Sequence, residues 1–225
     1  NKDITYLVRM RKLFNDDVDH IIETSIKNFS NNINNYINYE KDSSWINFFT
    51  EKDALIRKQI ESLSKDSKMN EYSFASQIIN KIPDNSNLFI GNSIIIRAFN
   101  SFSNRNHNKN INILSNRGAS GIDGNIATAL GMAKASNKNN YLILGDQSFM
   151  HDVGTLQILA RSDIRLTIFI INNGGGAIFD QLPLSNKMKL SAFNQFIRRN
   201  HQQHFEEIAQ AYDIDYDLLT DIKQF

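Results

Sequence analysis

Four short apolar segments, each followed by a polar loop and then by a stretch of helical period, predict an α/β fold. The expected architecture is a parallel sheet with helices on both faces. The strands are Leu88–Ile90, Ile111–Leu114, Tyr141–Leu144 and Leu166–Ile171. Strands alternating with helical stretches of about 10–15 residues are the pattern of βαβ units. Repeating that unit brings all the strand C-termini to one edge, where such sheets bind ligands. The loops 91–93, 115–121, 145–148 and 172–176 fall on that edge.

Taken in order, Ile4 to Val8 reads as a strand. Val18, Ile21, Ile22, Ile26 and Phe29 recur at helical spacing, which predicts an amphipathic helix over Val18–Phe29. Asn31 to Asn38 is Asn-rich and reads as a loop or linker. Trp45 to Leu63 is helical through Phe48, Phe49, Leu55, Ile56 and Ile60. The polar stretch Lys65–Asn70 marks the expected boundary between residues 1–65 and a second domain at 66–225. In that second domain, Ser73–Ile82, Ile94–Phe102, the small-residue-rich Ile122–Ala135, 148–160 and His204–Tyr212 are the expected helices. Ser103–Asn110 is a polar loop.

A length of 225 residues is enough for one good-sized core, or a core plus part of a neighbour. A net charge of +1 gives no reason to expect a nucleic acid or a strongly acidic partner. The absence of cysteine excludes disulfides, a thiolate nucleophile and Cys-ligated zinc, and it is consistent with a cytoplasmic protein. No apolar run reaches the roughly 20 residues that a membrane span needs. The chain opens on Asn rather than Met, as a fragment or processed product would.

The chemistry gathers at two strand ends. Tyr141–Leu144 runs into Gly145-Asp146, and Leu166–Ile171 runs into Asn172-Asn173-Gly174-Gly175-Gly176. Asp146 offers a carboxylate, Asn173 an amide oxygen, and the glycines a carbonyl on backbone free to approach closely. These three hard oxygens suit a cation such as magnesium, which binds through one or two protein groups plus phosphate oxygens. The helix expected at 148–160 turns its N-terminal amides toward the same diphosphate. The chain holds thirty Asn, and Asn-Asn occurs four times, so the pair means little without its strand and its glycines.

Gly118, Gly121 and Gly124 form G-x-x-G-x-x-G, which differs from the G-x-G-x-x-G of dinucleotide folds. Beside them Arg117 is placed for an anion, Ser120 can donate a hydrogen bond, and Asp123 reads as capping or orienting the loop rather than as a metal ligand. Arg97 lies one helical turn after Ser93, and two arginines on neighbouring loops suit a substrate with carboxylates. His151 reads more readily as a packed histidine than as a base. Arg198, Arg199, His201 and His204 read as a solvated helix face.

These strings resemble a family. The run Ser115 to Gly124, the run Gly145 to Asp152 and the run Asn172 to Phe179 are similar, in order and in spacing, to the diphosphate-binding domain of thiamine diphosphate enzymes. They are closer still to the synthases of 2-succinyl-5-enolpyruvyl-6-hydroxy-3-cyclohexene-1-carboxylate (SEPHCHC) in menaquinone biosynthesis. The resemblance covers residues 70–212; residues 1–65 look like the tail of that family's central domain plus a linker helix.

The resemblance implies a carboligase-type transferase in which thiamine diphosphate decarboxylates 2-oxoglutarate and the resulting carbanion adds to isochorismate. It implies that Asp146, Asn173 and the carbonyl of Gly175 hold Mg2+ or Mn2+. It places Asn92, Ser120, Ile122, Gly145, Gln147, Ser148, Gly176 and Ile178 at the cofactor, with Ile122 bending it. Ser93, Arg97 and Arg117 would bind substrate carboxylates, and Phe179 and Leu182 would complete the apolar wall. It also implies a homo-oligomer, dimer or tetramer, with the active site shared between subunits. The activating glutamate of the family belongs to an N-terminal domain without counterpart here, so no residue takes that catalytic role and the chain alone is expected to be inactive. Two other readings stand beside this one: another thiamine diphosphate carboligase or decarboxylase related to acetolactate synthase, and a non-catalytic α/β nucleotide-binding module.

Overall fold

The computed structural model describes residues 6–9, 20–33, 43–66, 69–104 and 108–225. The chain forms two compact units, Asn1–Ala54 and Leu55–Phe225. The division falls inside a helix, whereas the composition shift lies further along, at Lys65–Asn70.

In the first unit β1 (Tyr6–Arg9) pairs in parallel with β2 (His20–Glu23). α1 (Ile26–Asn32) follows, with Ser25 as its N-cap: the Asn28 N–H donates to Ser25 Oγ at 3.1 Å. The helix expected over Val18–Phe29 is therefore a strand and a separate helix. The adjacent β-branched pair Ile21-Ile22 suits a strand, and a capping serine starts the helix afresh at residue 26. Ile4, Val18 and residues 34–38 lie outside the described residues. α2 (Ser43–Asp66) covers the helix expected over 45–63.

The second unit carries the sheet. α3 (Glu71–Lys81) opens on a capping box, in which Asn70 Oδ1 accepts from the Tyr72 and Ser73 N–H groups and Ser73 Oγ accepts from Asn70 N–H. At its other end Lys109 Nζ donates to the carbonyls of Asn80 and Ile82, both at 2.6 Å, so helix carbonyls that would otherwise be bare are met. Then come β3 (Ser86–Ile90), α4 (Ile94–Phe102), β4 (Ile111–Leu114), α5 (Asn125–Lys134) and β5 (Asn139–Gly145). They are followed by α6 (Asp146–His151), α7 (Leu156–Ala160) and β6 (Thr167–Ile171). The sheet order is β4-β3-β5-β6, parallel throughout. The Asn110 N–H donates to Asp84 Oδ1 at 2.6 Å where β4 begins, which holds that carboxyl below its usual range.

Side-chain alternation along the central strands builds two cores. Leu88, Ile90, Tyr141 and Ile143 face α3 and α4, where Phe74, Ile78, Ile79, Ile95 and Phe99 are buried. Phe89, Leu142 and Leu144 face the other way, against Ile126, Ala129, Leu130, Phe149, Leu156 and Phe205. The sheet is thus covered on both faces, as the near-continuous apolar strands predict.

Two helices differ from expectation at their starts. The segment read as one helix over 148–160 begins at Asp146 and breaks into α6, a 3-10 turn at Val153–Thr155, and α7. α5 starts at Asn125 rather than Ile122, because Gly124 takes a left-handed conformation (φ 67°) that closes the loop before it. Its cap is not Asp123. Asp152 Oδ2 accepts from the Ile126 and Ala127 N–H groups at 2.6 and 3.0 Å, and Thr155 Oγ1 steadies the other carboxylate oxygen. Beyond β6 the chain forms short turns at Ala177–Gln181 and Pro183–Asn186, then α8 (Leu190–Ala192), a π-helical segment Phe193–Arg198, and α9 (Phe205–Ala211).

Candidate functional site

The C-terminal edge of the sheet opens into a cavity of about 190 Å³. Asn92, Ser93, Ile122, Gly145, Asp146, Gln147, Ser148, Asn173, Gly175, Gly176, Ile178 and Phe179 line it. Twelve of the residues singled out from the sequence therefore converge there. Arg97, Arg117, Ser120 and Leu182 do not reach its wall.

Asp146 sits where β5 gives way to α6, and only 2% of it is exposed. Its Oδ2 accepts from Asn173 N–H at 3.2 Å and Gly175 N–H at 2.9 Å; Oδ1 accepts from Gln147 N–H at 2.5 Å. Three backbone N–H groups thus converge on this one buried carboxylate. Asn173 arrives from the end of β6. Its Nδ2 donates to Glu71 Oε1 at 2.7 Å, and its carbonyl accepts from Arg198 Nη2 at 3.2 Å. Its Oδ1 is buried without a hydrogen-bond partner. An orphaned buried acceptor costs about 1–3 kcal/mol, so its retention here needs a reason.

Gly175 has φ 135°, and a Cβ built there would stand 2.8 Å from the Arg198 carbonyl oxygen, so only glycine fits. That carbonyl in turn accepts from Gly176 N–H at 2.6 Å. Segment 198–201 is thereby laid across the 172–176 loop, and the structure overturns the expectation of a solvated face for Arg198 and His201. Arg198 and Arg199 line the cavity. Arg198 also pairs with Asp180, Nε to Oδ2 3.2 Å. His201, with 7% of its side chain exposed, brings Nε2 to 3.1 Å from Asp146 Oδ2. The ring N–H is not directed at that oxygen, so this is a close polar contact rather than a hydrogen bond. Of the four, Arg199 and His204 are exposed, whereas Arg198 and His201 are half-buried. The reason for the difference is local: Phe193 is buried, and Arg199 turns left-handed (φ 53°), which ends the helix and returns the chain to the site.

On the opposite rim, buried Asn92 ties two loops together. Its Nδ2 donates to the carbonyls of Asn116 and Gly121 at 3.0 and 2.7 Å, and its Oδ1 accepts from Arg117 Nη1 at 2.7 Å. Arg97 Nη1 donates to the Ser93 carbonyl at 2.8 Å. Ser93 itself holds φ 74°, ψ −139°, a backbone state that non-glycine residues keep only where the surroundings impose it. The two arginines are thus anchored to adjacent residues of the cavity wall. Ser148 Oγ donates to the Ile122 carbonyl at 2.6 Å and accepts from Asn125 Nδ2 at 2.9 Å, which fixes the Ile122 backbone at the cavity wall.

The donors suit a hard divalent cation. Among the described residues no group of three His, Asp or Glu side chains could hold a metal. What the edge offers instead is one carboxylate, one orphaned amide oxygen and the Gly175 carbonyl. Such a set leaves positions for phosphate oxygens and water, as magnesium sites commonly do. Apolar Ile122, Ile178 and Phe179 stand beside it, so the cavity combines a polar end with an apolar wall.

Residues 95–225 match the family model described as thiamine pyrophosphate enzyme, C-terminal TPP binding domain. The chain belongs to the thiamine pyrophosphate enzyme family. Among curated relatives, the SEPHCHC synthase of Haemophilus ducreyi is 39% identical over 148 residues, 66% of this chain and 25% of the relative. Those of Listeria innocua and Roseiflexus are 36% and 33% identical, covering 78% and 83% of this chain. The chain spans 30% and 32% of these two relatives' length. Four cavity-lining residues, Glu71, Asn92, Ser93 and Ile94, precede the matched domain. Glu71 carries no sequence signal of its own, since its contact with Asn173 spans 102 residues. No helix among the described residues is long and apolar enough to cross a membrane.

Proposed function

We propose that this chain is the diphosphate- and cation-binding part of a SEPHCHC synthase, which decarboxylates 2-oxoglutarate and adds the remaining four-carbon unit to isochorismate. The observation that carries the reading is the buried Asp146 carboxylate beside the orphaned Asn173 Oδ1, at the strand edge of a thiamine pyrophosphate enzyme domain. Asp146, Asn173 Oδ1 and the Gly175 carbonyl would hold Mg2+ or Mn2+, and through it the diphosphate. The bound cofactor supplies the electron sink that lets a 2-oxo acid lose carbon dioxide; the protein supplies binding and orientation.

Gln147, Ser148 and Gly176 line the diphosphate end, with Gly145, Asn92 and Ser120 shaping the loops around it. Ile122, Ile178 and Phe179 keep water from the reacting end, while Leu182 stands outside the cavity wall. Arg97 and Arg117, anchored to Ser93 and Asn92, favour a donor and an acceptor that both carry carboxylates. Their presence is what favours 2-oxoglutarate over pyruvate, and so this reading over an acetolactate synthase relative. The names of the relatives support the same choice. In this reading the site is completed between subunits of a homo-oligomer.

Calorimetric titration tests the first half. The chain should bind thiamine diphosphate with Mg2+, and Asp146→Ala should abolish that binding. Binding of NAD or ATP, with none of thiamine diphosphate, would sink the reading in favour of a nucleotide-binding module. For the full-length protein, faster decarboxylation of pyruvate than of 2-oxoglutarate would select the acetolactate-type alternative.

A further inference from the structure

An amide side chain presents two different faces, and a cation can use only one. Asn173 can serve a cation through Oδ1 but not through Nδ2, and a half-turn about its last torsion exchanges them. In this structure the choice is made by Glu71, whose Oε1 takes the Nδ2 hydrogen at 2.7 Å. Glu71 lines the cavity from the first turn of α3. Its carboxylate can only accept, so it cannot pair with Oδ1; the amide is locked with its oxygen turned away from Glu71. That oxygen is one of five buried side-chain polar atoms left without a hydrogen-bond partner among the described residues. The Asn173 N–H, meanwhile, is held by Asp146 Oδ2 at 3.2 Å, so backbone and side chain are fixed from opposite sides.

We infer that Glu71 is a positioning residue: it orients the Asn173 amide so that Oδ1 is presented, together with the Asp146 carboxylate, to a divalent cation. The inference rests on the cation-site reading above and adds a residue that lies outside the matched domain, on a helix that otherwise serves to cover the sheet. Its position on α3 explains why the site can hold an unsatisfied oxygen at all. The capping box at Asn70 and Ser73 fixes the start of the helix, so Glu71 is delivered by a rigid element rather than by a loop. The plainer role for an acidic residue in a helix's first turn is to complement the helix dipole. That role predicts an effect on stability and none on cation affinity.

The test measures Mn2+ binding to the whole chain with saturating thiamine diphosphate, from loss of the free-ion electron paramagnetic resonance signal. Thermal unfolding is followed in parallel. Glu71→Ala should weaken Mn2+ binding about tenfold, the lower end of what partners of metal ligands contribute. Glu71→Gln, which keeps an oxygen able to accept from Nδ2, should stay within about threefold of wild type on the same scale. In an Asn173→Ala background there is no amide to orient, so adding Glu71→Ala should change affinity by less than about twofold. Glu71→Ala with wild-type affinity and a lowered unfolding temperature would overturn the inference and leave only the dipole role. A Glu71→Ala effect that persists undiminished in the Asn173→Ala background would also overturn it, since Glu71 would then act through charge alone. Loss of binding in Asp146→Ala alongside either result would leave the cation site standing. No Mn2+ binding by the wild-type chain would overturn the site and the inference together.

Discussion

At the scale of single residues, the site depends on backbone states that few side chains tolerate. Gly175 must hold φ 135° with the Arg198 carbonyl 2.8 Å from where a Cβ would lie. Its N–H reaches Asp146 Oδ2 and its neighbour Gly176 N–H reaches the Arg198 carbonyl, so two successive residues join Asp146 to the covering segment 198–201. Gly175→Ala should therefore lower stability by about 1–3 kcal/mol, the usual cost of an imposed backbone strain. It should also weaken thiamine diphosphate and Mg2+ binding more than a core substitution of equal cost. Urea unfolding paired with calorimetry checks both halves; a destabilised variant with undiminished ligand affinity would show that the clash is relieved away from the site. The position was legible as a run of three glycines after a strand. Which glycine is indispensable was not, because the constraint comes from a carbonyl more than twenty residues further along the chain.

At the scale of elements, the sequence announces an element by its period but conceals how the element is stopped. α5 shows this. Ile126, Ala129, Leu130 and Ala133 are buried on one face, and that pattern was readable. The cap was not, since Asp152 lies about two dozen residues downstream and reaches back from beyond α6. Asp152→Ala should cost about 1–2 kcal/mol, the range for a lost N-cap. Asp152→Asn, which retains an acceptor oxygen, should recover most of it. Equal chemical-denaturant midpoints for Asp152→Ala and wild type would show that water meets those donors as well. The asparagine abundance has a similar explanation by element. Asn87 pairs with Asn112 and Asn140 across β4, β3 and β5, with Nδ2 and Oδ1 both engaged. Those residues lie at the strand N-termini, opposite the site, and hold the sheet's entry edge together. Sequence counting could not separate such structural amides from Asn173, which lies at the opposite strand end beside Asp146 with its side-chain oxygen unpaired.

At the scale of the whole molecule, the matched domain and the folding unit have different limits. The family match begins at residue 95, inside α4, yet the sheet depends on what precedes it. β3 lies between β4 and β5, and among the described residues β4 has no other partner in the sheet. Residues 71–94 also contribute Phe74, Ile78, Ile79, Ile82, Leu88, Phe89 and Ile90 to the two cores, each with no more than 2% exposed. Removing one such side chain typically costs about 2–5 kcal/mol, while a domain's whole stability is about 5–15 kcal/mol. A fragment of residues 95–225 would lose all of them at once, together with Glu71, Asn92 and Ser93 from the site. It is expected to give no cooperative thermal transition by circular dichroism and no near-ultraviolet signal. Residues 55–225, the larger compact unit, should melt cooperatively and retain thiamine diphosphate binding. A cooperative transition in the 95–225 fragment would mean that β4, β5 and β6 can re-pair without β3. The parallel register makes that unfavourable, because closing the gap requires β4 to shift by one full strand position, about 4.8 Å, while remaining tethered to α4 and α5.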